Sequence, residues 1–269
     1  MRKDTIQWLI PALLAIGVAL ALWFYWASTR PGSESAPATT PESEAPPRPE
    51  PREEPLYPLR DPGEMSTDRP TLQPLPPLDQ SDEYFELALS DLFGDTLTPM
   101  LVDSRLIERV VATVDNLPRD HVAERIRPLG GIDGQFLADG QDDSGEFTVD
   151  PENYHRYDSL VALLANADTE QLVELYRRFY PLLQKAYVDL GYPDGYFNDR
   201  LVEVIDHLLE SPEVTDPPAL VRPHVLFEYA DPELEKLSSG QKMLLRIGPQ
   251  NAVTVREKLR ELRDMIVER

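Results

Sequence analysis

The chain contains no cysteine, which excludes disulfide bonds, thiolate metal sites and cysteine nucleophiles. Basic residues are also few, because 26 lysines and arginines stand against 48 aspartates and glutamates, for a formal net charge of −22. A surface this negative repels nucleic-acid phosphates and anionic lipid headgroups. We therefore expect no nucleic acid among the partners, and we favour cations, basic protein surfaces or neutral polymers.

One apolar run near the N-terminus, Ile6 to Ala27, contains twenty-two residues without a charge. At ~1.5 Å per helical residue it spans roughly 33 Å, enough to cross a hydrocarbon core of about 30 Å. Because Arg2 and Lys3 precede the run, the positive-inside rule places residues 1–5 in the cytoplasm. The sequence predicts a single-pass protein of the bacterial inner membrane that contacts the lipid bilayer through residues 6–27. Its C-terminal domain is expected in the periplasm.

A cleaved signal peptide is the alternative interpretation of this run. Ala19-Leu20-Ala21 has the small-x-small form of a cleavage site. The apolar run continues beyond it through four aromatic residues at positions 23–26, which are typical of a helix leaving the bilayer at headgroup level. This continuation favours a retained anchor.

A proline-rich segment follows the predicted anchor. Residues 28–77 contain fourteen of the 27 prolines, with many Glu, Ser and Thr and no hydrophobic period. Such a composition cannot bury enough apolar surface to offset the entropy lost on ordering. The sequence therefore predicts a disordered acidic linker that separates a soluble domain, residues 78–269, from the membrane.

The soluble domain is predicted to be mainly α-helical, with about six to eight helices and a small β-hairpin, because apolar residues recur mostly at helical spacing. Ser81 is a plausible N-cap of a helix that Gly94 ends. Asp168 opens a capping-box pattern before the longest apolar stripe. Pro181 lies inside that stripe, which predicts a kink or a restart of the helix.

Extended segments are predicted at residues 135–138 and 146–149, which bracket a polar loop as in a hairpin, and at residues 225–229. Two final helices are predicted, joined by Gly248-Pro249. The second carries a ridge of arginines beside its apolar stripe, which we expect to be solvated, with a partner-docking face as the alternative: Arg256, Arg260 and Arg263.

Four carboxylates lie in or beside the predicted hairpin loop: Asp139, Asp142, Asp143 and Glu146. Calcium is a hard cation that takes such oxygen ligands, but the spacing departs from the EF-hand pattern. A solvated polar loop is the commoner meaning of such a cluster. We keep the four residues as weak metal candidates and expect no cofactor.

Two further motifs were tested for chemistry. Residues 237–241, Leu-Ser-Ser-Gly-Gln, resemble the signature loop of ABC-type ATPases, but the chain lacks a G-x-x-x-x-G-K-[ST] phosphate loop. A position inside a helix or at a helix junction is the expected role of this segment. Glu203 and His207 stand at i, i+4 spacing, yet a zinc site would need a third ligand from elsewhere.

Tyrosines concentrate before and within the turn at residues 192–198. Aromatic rings with polar tips suit glycan or peptide recognition. They equally suit a core whose hydroxyls reach water at its edge. A candidate ligand or partner surface therefore comprises Tyr192, Tyr196, Asn198 and Tyr157.

Several short motifs in combination resemble those of a bacterial family. They are Asn-Tyr-His-Arg-Tyr-Asp at 153–158, the block from 176 to 209, and Phe-Glu-Tyr-Ala-Asp-Pro at 227–232. The family is the one built on domain of unknown function 3014, and the likeness extends over nearly all of residues 75–269. The resemblance implies a Gram-negative envelope protein with an N-terminal membrane segment. It implies no catalytic or binding residues.

The leading functional hypothesis is a membrane-anchored periplasmic interaction or scaffold module with envelope protein partners. The alternative is an envelope-polymer hydrolase, or a glycan- or peptide-binding domain, that uses carboxylates and the tyrosine-rich region. Paired Asp or Glu residues perform acid-base chemistry when their environments separate their pKa values. Because the chain has 48 acidic residues, the sequence selects no pair, and enzymatic activity is left open.

Overall fold

The computed structural model describes five stretches of the chain: residues 54–59, 74–131, 135–141, 146–224 and 226–267. The predicted anchor at 6–27 lies outside them, as does most of the predicted linker. Among the described residues, no helix is both long enough and apolar enough to cross a bilayer.

The described residues form nine α-helices. They are α1 (Asp82–Phe93), α2 (Leu106–Asn116), α3 (Glu152–His155), α4 (Asp158–Asn166), α5 (Thr169–Asp189), α6 (Phe197–Leu209), α7 (Pro232–Glu235), α8 (Ser239–Arg246) and α9 (Pro249–Val267). The predicted mainly helical fold is confirmed. The helices exceed the expected six to eight partly because the helix predicted after Asp231 is divided at Ser238, whose side chain caps a new helix, α8.

A small antiparallel sheet contains four strands in the order β1-β2-β3-β4. They are β1 (Ala138–Gln141), β2 (Glu146–Val149), β3 (Ala219–Val221) and β4 (Glu228–Tyr229). The predicted hairpin is present as β1 and β2, but β1 begins three residues later than expected. The N–H of Leu137 donates to the side chain of Asn153 at 2.9 Å and not to a neighbouring strand, and its C=O is shared between Asn153 at 2.6 Å and the N–H of Asp150 at 3.3 Å.

The main core lies where α1, α2, α5 and α6 meet. Phe85 of α1 meets Phe179 of α5 edge-on, with ring centroids 5.0 Å apart. Ile107 of α2 and Phe197 of α6 complete the buried interior. These four helices therefore fix the start of α6, on which the candidate site is built.

The end signals of the helices behave mostly as predicted. The Asp168 carboxylate accepts the N–H of Gln171 at 3.0 Å and caps α5. Gly94 has a φ of 68° at the end of α1, a left-handed conformation that suits glycine. Of the two outcomes predicted at Pro181, a kink or a restart, the restart is wrong, since α5 continues without interruption from Thr169 to Asp189.

The arginine ridge of α9 is only partly solvated. Arg260 is exposed, and Arg263 forms an ion pair with Asp206 of α6. Arg256 is 4% exposed, so the prediction of a solvated ridge is wrong at this position. Its guanidinium lies against the loop after α6, where it donates to the carbonyl of Pro212 at 3.0 Å.

The first residues of α8 pack directly on the end of α2. The N–H of Ser239 donates to the carbonyl of Arg119 at 2.7 Å, and that of Gly240 to the carbonyl of Leu117 at 2.9 Å. A Cβ at Gly240 would lie 2.5 Å from Cδ2 of Leu208 and 3.1 Å from the Leu117 carbonyl oxygen. This close approach requires glycine at position 240.

We expect Gly240→Ala to lower the free energy of unfolding by about 1–3 kcal/mol, because the added methyl overpacks the contact between α8, α2 and α6. Urea denaturation measures the change. Gly131→Ala is the matched control, since a Cβ at Gly131 meets no atom within 4 Å. Equal losses in the two variants would contradict the packing argument.

Candidate functional site

The turn between α5 and α6 is held by Gln184. Its Nε2 donates to the carbonyl of Gly195 at 2.7 Å, and its Oε1 accepts the N–H of Phe197 at 2.8 Å and the hydroxyl of Tyr180 at 3.1 Å. Gly195 has little room, because an added Cβ would lie 3.0 Å from the ring of Tyr187. These contacts set the position at which α6 begins.

The first turn of α6 carries three consecutive polar side chains that are buried. Asn198, Asp199 and Arg200 are exposed by only 1%, 8% and 8%. A buried polar or charged group is costly unless it is hydrogen-bonded or paired. The groups that form hydrogen bonds or ion pairs with these three residues therefore identify what the turn binds.

Asn198 and Asp199 bind the backbone of a segment far earlier in the chain. The carboxylate of Asp199 accepts the N–H groups of Leu56 at 3.0 Å and Tyr57 at 2.9 Å. Nδ2 of Asn198 donates to the carbonyl of Tyr57 at 2.6 Å. We call Asn198 and Asp199 the clamp, and residues 54–59 the docked segment.

The docked segment alternates between exposed and half-buried residues, as an extended chain on a surface does. Leu56 points to solvent, whereas Tyr57 and Leu59 pack on an apolar cluster that includes Val173, Val202 and Ile266. The sequence predicts disorder here, and the structure instead shows these six residues in contact with the domain. The difference arises because the contacts join positions remote in the chain.

Arg200 faces a second network, centred on Asp115 of α2. Its Nε donates to Oδ1 of Asp115 at 3.0 Å, and its Nη2 donates to the carbonyl of the same residue at 2.8 Å. Oδ2 of Asp115 accepts from Arg119 at 2.9 Å and from the hydroxyl of Tyr192 at 3.2 Å. Nη1 of Arg200 also lies 3.0 Å from Glu203. The buried charges are thus paired.

Buried tyrosines orient the clamp. Burial raises the pKa of Tyr180 to about 12, and burial raises the pKa of Tyr176 well above its ordinary value. Both phenols therefore stay protonated at neutral pH. The Tyr176 hydroxyl donates to Oδ1 of Asn198 at 2.7 Å, which leaves Nδ2 of Asn198 to face the carbonyl of Tyr57.

The four residues of the predicted ligand surface have different environments. Asn198 is part of the clamp, and Tyr192 binds Asp115 through its hydroxyl. Tyr196 is half-buried and immediately precedes α6. Tyr157 packs in a separate apolar cluster with Val204 and Leu244. The turn thus contains three of the four residues, and Tyr157 belongs to another part of the fold.

The weak metal candidates form no site that the structure describes. Asp139 is exposed in β1. Asp142 and Asp143 lie outside the described residues, and Glu146 is described only by its backbone in β2. Within the described stretches, no group of three His, Asp or Glu residues is arranged to hold a metal ion.

The segment that resembles an ABC signature forms a helix junction. Ser238 and Gln241 form a capping box at the start of α8. The N–H groups of Ser239 and Gly240, which lie between these two residues, donate to carbonyls just after α2. His207 places Nε2 2.9 Å from Oγ of Ser238. This contact ties α6 to α8.

The buried carboxylates of the described residues are Asp115 and Asp199. The first is bound by two arginines and the second by two backbone N–H groups. Both are therefore engaged by the protein itself rather than free as an acid and a base. Asp115 could have been noticed in the sequence, because it continues the apolar spacing of Ile107 and Val111, where a charge is unexpected.

These features define a mainly helical domain with a small antiparallel sheet and a polar turn that holds a flanking peptide. The chain belongs to the family described as "Protein of unknown function (DUF3014)", whose profile matches residues 106–263. The resemblance seen in the motifs is thereby confirmed. No curated protein and no solved structure matches the chain. The matched range contains the clamp and Asp115 but not the docked segment.

Replacement of the central carboxylate should destabilise the domain strongly. We expect Asp115→Asn to cost about 3–5 kcal/mol in the free energy of unfolding, because the buried Arg200 loses its main counterion. Glu203→Gln is the control, since Glu203 contacts the same arginine with a side chain that is 64% exposed, and it should cost about 0–1 kcal/mol. Urea denaturation at pH 7 compares them. Similar losses would show that Asp115 is not the centre of the network.

His207 should make the domain less stable in mild acid. Burial lowers the pKa of His207 below its ordinary 6.5, against the opposing charge of Glu210. Below pH 6.5 the unfolded chain therefore binds more protons than the folded one, and stability falls as the pH falls through the folded pKa. Denaturation midpoints between pH 7.5 and 5.5 should fall less in His207→Gln than in the parent.

His155 provides the control of opposite sign. Its hydrogen bond with Asp158 raises its pKa, so its contribution is present below its unfolded pKa and is lost as the pH rises. His155→Gln should therefore steepen the acid loss of stability. An unchanged pH dependence in His207→Gln would contradict the assignment.

Proposed function

We propose that this protein is a membrane-anchored interaction module of the bacterial cell envelope, and that its periplasmic domain binds extended, proline-containing peptide at the clamp. The observation that carries the proposal is the set of three hydrogen bonds between the clamp and the backbone at Leu56 and Tyr57. Envelope proteins with an exposed segment of this kind are the proposed partners.

The docked segment is the example of the ligand class. Its sequence is Glu-Pro-Leu-Tyr-Pro-Leu, so both N–H groups that bind Asp199 belong to residues between two prolines. Proline fixes φ and offers no N–H donor, which favours an extended chain with few polar groups left to satisfy. The backbone contacts are indifferent to side chains, whereas the apolar contacts of Tyr57 and Leu59 favour an aromatic residue and an aliphatic residue two positions later.

Charge supports a peptide rather than a polyanion as the ligand. The formal net charge of the chain is −22, which disfavours nucleic acid. No specific contact favours the hydrolase alternative, because Asp115 and Asp199 are both bound by groups of the protein.

Hydrogen exchange of the full-length chain in detergent tests the clamp. We expect the amides of Leu56 and Tyr57 to be protected in the parent, and Asp199→Ala to reduce that protection by roughly tenfold or more, because two hydrogen bonds to a charged acceptor are lost. Asp194→Ala is the matched control, since Asp194 is exposed in the same turn. Retained protection in Asp199→Ala would refute the clamp.

Binding in trans tests the function. A fluorescent peptide of residues 52–61 should bind a chain whose docked segment is weakened by Tyr57→Ala and Leu59→Ala, and should bind the parent much less because its own segment competes. Adding Asp199→Ala to the weakened chain should abolish the anisotropy signal. Peptide binding that is indifferent to Asp199 would overturn the proposal.

A further inference from the structure

The described residues contain three buried cations: Arg200, Arg256 and Lys258. Arg200 is paired with Asp115, and Lys258 lies 2.9 Å from Glu261. Among the described residues, no carboxylate lies within salt-bridge distance of Arg256, whose contacts are with Ser211 and the following carbonyl. Buried charges in proteins are normally paired. Arg256 is the exception, in a chain with a large excess of acid.

The guanidinium of Arg256 uses only part of its donor capacity. Every hydrogen bond that it forms with a described residue leaves from Nη2, to Oγ of Ser211 at 2.9 Å, to the carbonyl of Pro212 at 3.0 Å and to the carbonyl of Ser211 at 3.5 Å. These contacts are with the loop that follows α6, which ends at Leu209. Nε is buried and has no hydrogen-bond partner. Both hydrogens of Nη2 are therefore in use, whereas Nε and Nη1 form no hydrogen bond with a described residue.

Arg256 also lines a cleft between the loop after α6 and the start of α9. The cleft is open to solvent, and its enclosed part has a volume of about 70 Å³. Its walls are mostly apolar, and they include Pro212, Val214, Leu245, Ala252 and Val253. The N-terminal turn of α9 borders the same cleft, and the N-terminal end of a helix carries partial positive charge. An exposed acid, Glu213, stands at the wall.

We propose that this cleft binds a carboxylate carried by a small apolar group, as in the C-terminal residue of a peptide. The carboxylate accepts a charge-assisted hydrogen bond from Nη1 of Arg256, since Nη2 is already used by Ser211 and Pro212. The apolar part contacts Val214 and Val253. A free phosphate would gain nothing from these walls. The site is separate from the clamp, since the two lie at opposite ends of α6.

The carboxylate can be tested with two probes that differ in one group. N-acetyl-alanine has the charge, and N-acetyl-alaninamide lacks it. Titrated into the full-length chain in detergent, N-acetyl-alanine should shift the valine methyl resonances of Val253 and Val214 and saturate in the millimolar range. The amide should bind at least about tenfold more weakly, because it lacks the charge that strengthens the hydrogen bond from Arg256. Equal binding of the two probes, or no binding of either, would overturn the proposal.

Substitutions in the cleft locate the site, and two of them should change the affinity for N-acetyl-alanine in opposite directions. Arg256→Lys should weaken N-acetyl-alanine about tenfold, because a single ammonium cannot keep the contacts with Ser211 and Pro212 and also reach the carboxylate. Arg260→Met is the matched control on the exposed side of α9 and should leave binding unchanged. Glu213→Gln should tighten binding, because a like charge is removed from the wall.

If replacement of Arg256 unfolds the domain, Val253→Trp tests the location of the ligand instead. Val253 is exposed, so its replacement should fill the cleft and abolish binding while the fold is kept, as checked by the thermal unfolding midpoint. Undiminished binding in Val253→Trp would refute the location. Inorganic phosphate binding more tightly than N-acetyl-alanine would refute the ligand class.

Discussion

Three adjacent polar side chains are buried in the first turn of α6, and each needs a hydrogen-bond or ion-pair partner. This requirement fixes the positions of the docked segment and of α2 against the turn. Successive helical residues rotate by about 100°, so Asn198 and Arg200 cannot face the same partner. Asn198 and Asp199 take the backbone of the docked segment, and Arg200 takes Asp115 of α2. A single turn thus joins a flanking peptide to the central core.

The ion pair of Arg200 with Asp115 is harder to break than the hydrogen bonds between the clamp and the docked segment. Asp115 is buried and cannot exchange its arginines for water without unfolding of the core, so its network is permanent in the folded state. The clamp, by contrast, lies at the surface, and water would replace its three hydrogen bonds after the segment leaves. The net value of each such bond is about 1 kcal/mol, so the apolar contacts of Tyr57 and Leu59 decide whether the segment stays. This balance favours reversible docking, which is what an interaction module requires.

Local features were predictable because their causes lie within a few residues. The cap at Asp168 and the stop at Gly94 each depend on neighbouring positions. The candidate site was predictable in part, since the tyrosine-rich turn was recognised from composition and Asn198 was named. Asp199 and Arg200 follow Asn198 directly, yet their roles depend on Leu56, Tyr57 and Asp115, and no local pattern reveals such distant partners.

Distant partners also explain why the structure differs from the sequence predictions at Arg256 and Leu137. Arg256 occupies a position beside the apolar stripe of α9 that a helical wheel assigns to solvent, but the loop after α6 covers it. Leu137 has the apolar character of a strand residue, but the side chain of Asn153 accepts its N–H. In each case one polar contact from another element overrides the periodicity. Periodicity reports the average environment of a face, and a single long-range hydrogen bond is invisible to it.

Docking of residues 54–59 would also shorten the greatest distance that the proline-rich segment can place between the predicted anchor and the domain. An extended polyproline chain advances about 3.1 Å per residue, so residues 30–77 would separate the predicted anchor from the domain by up to roughly 150 Å. When residues 54–59 are bound at the clamp, only residues 30–53 connect the anchor to the domain surface, and the same rise gives about 74 Å. The clamp thus sets the reach of the tether to about half its length. Under the proposed function, a competing peptide at the clamp would restore the full reach, and partner binding would then be coupled to extension of the domain from the membrane through Asn198 and Asp199.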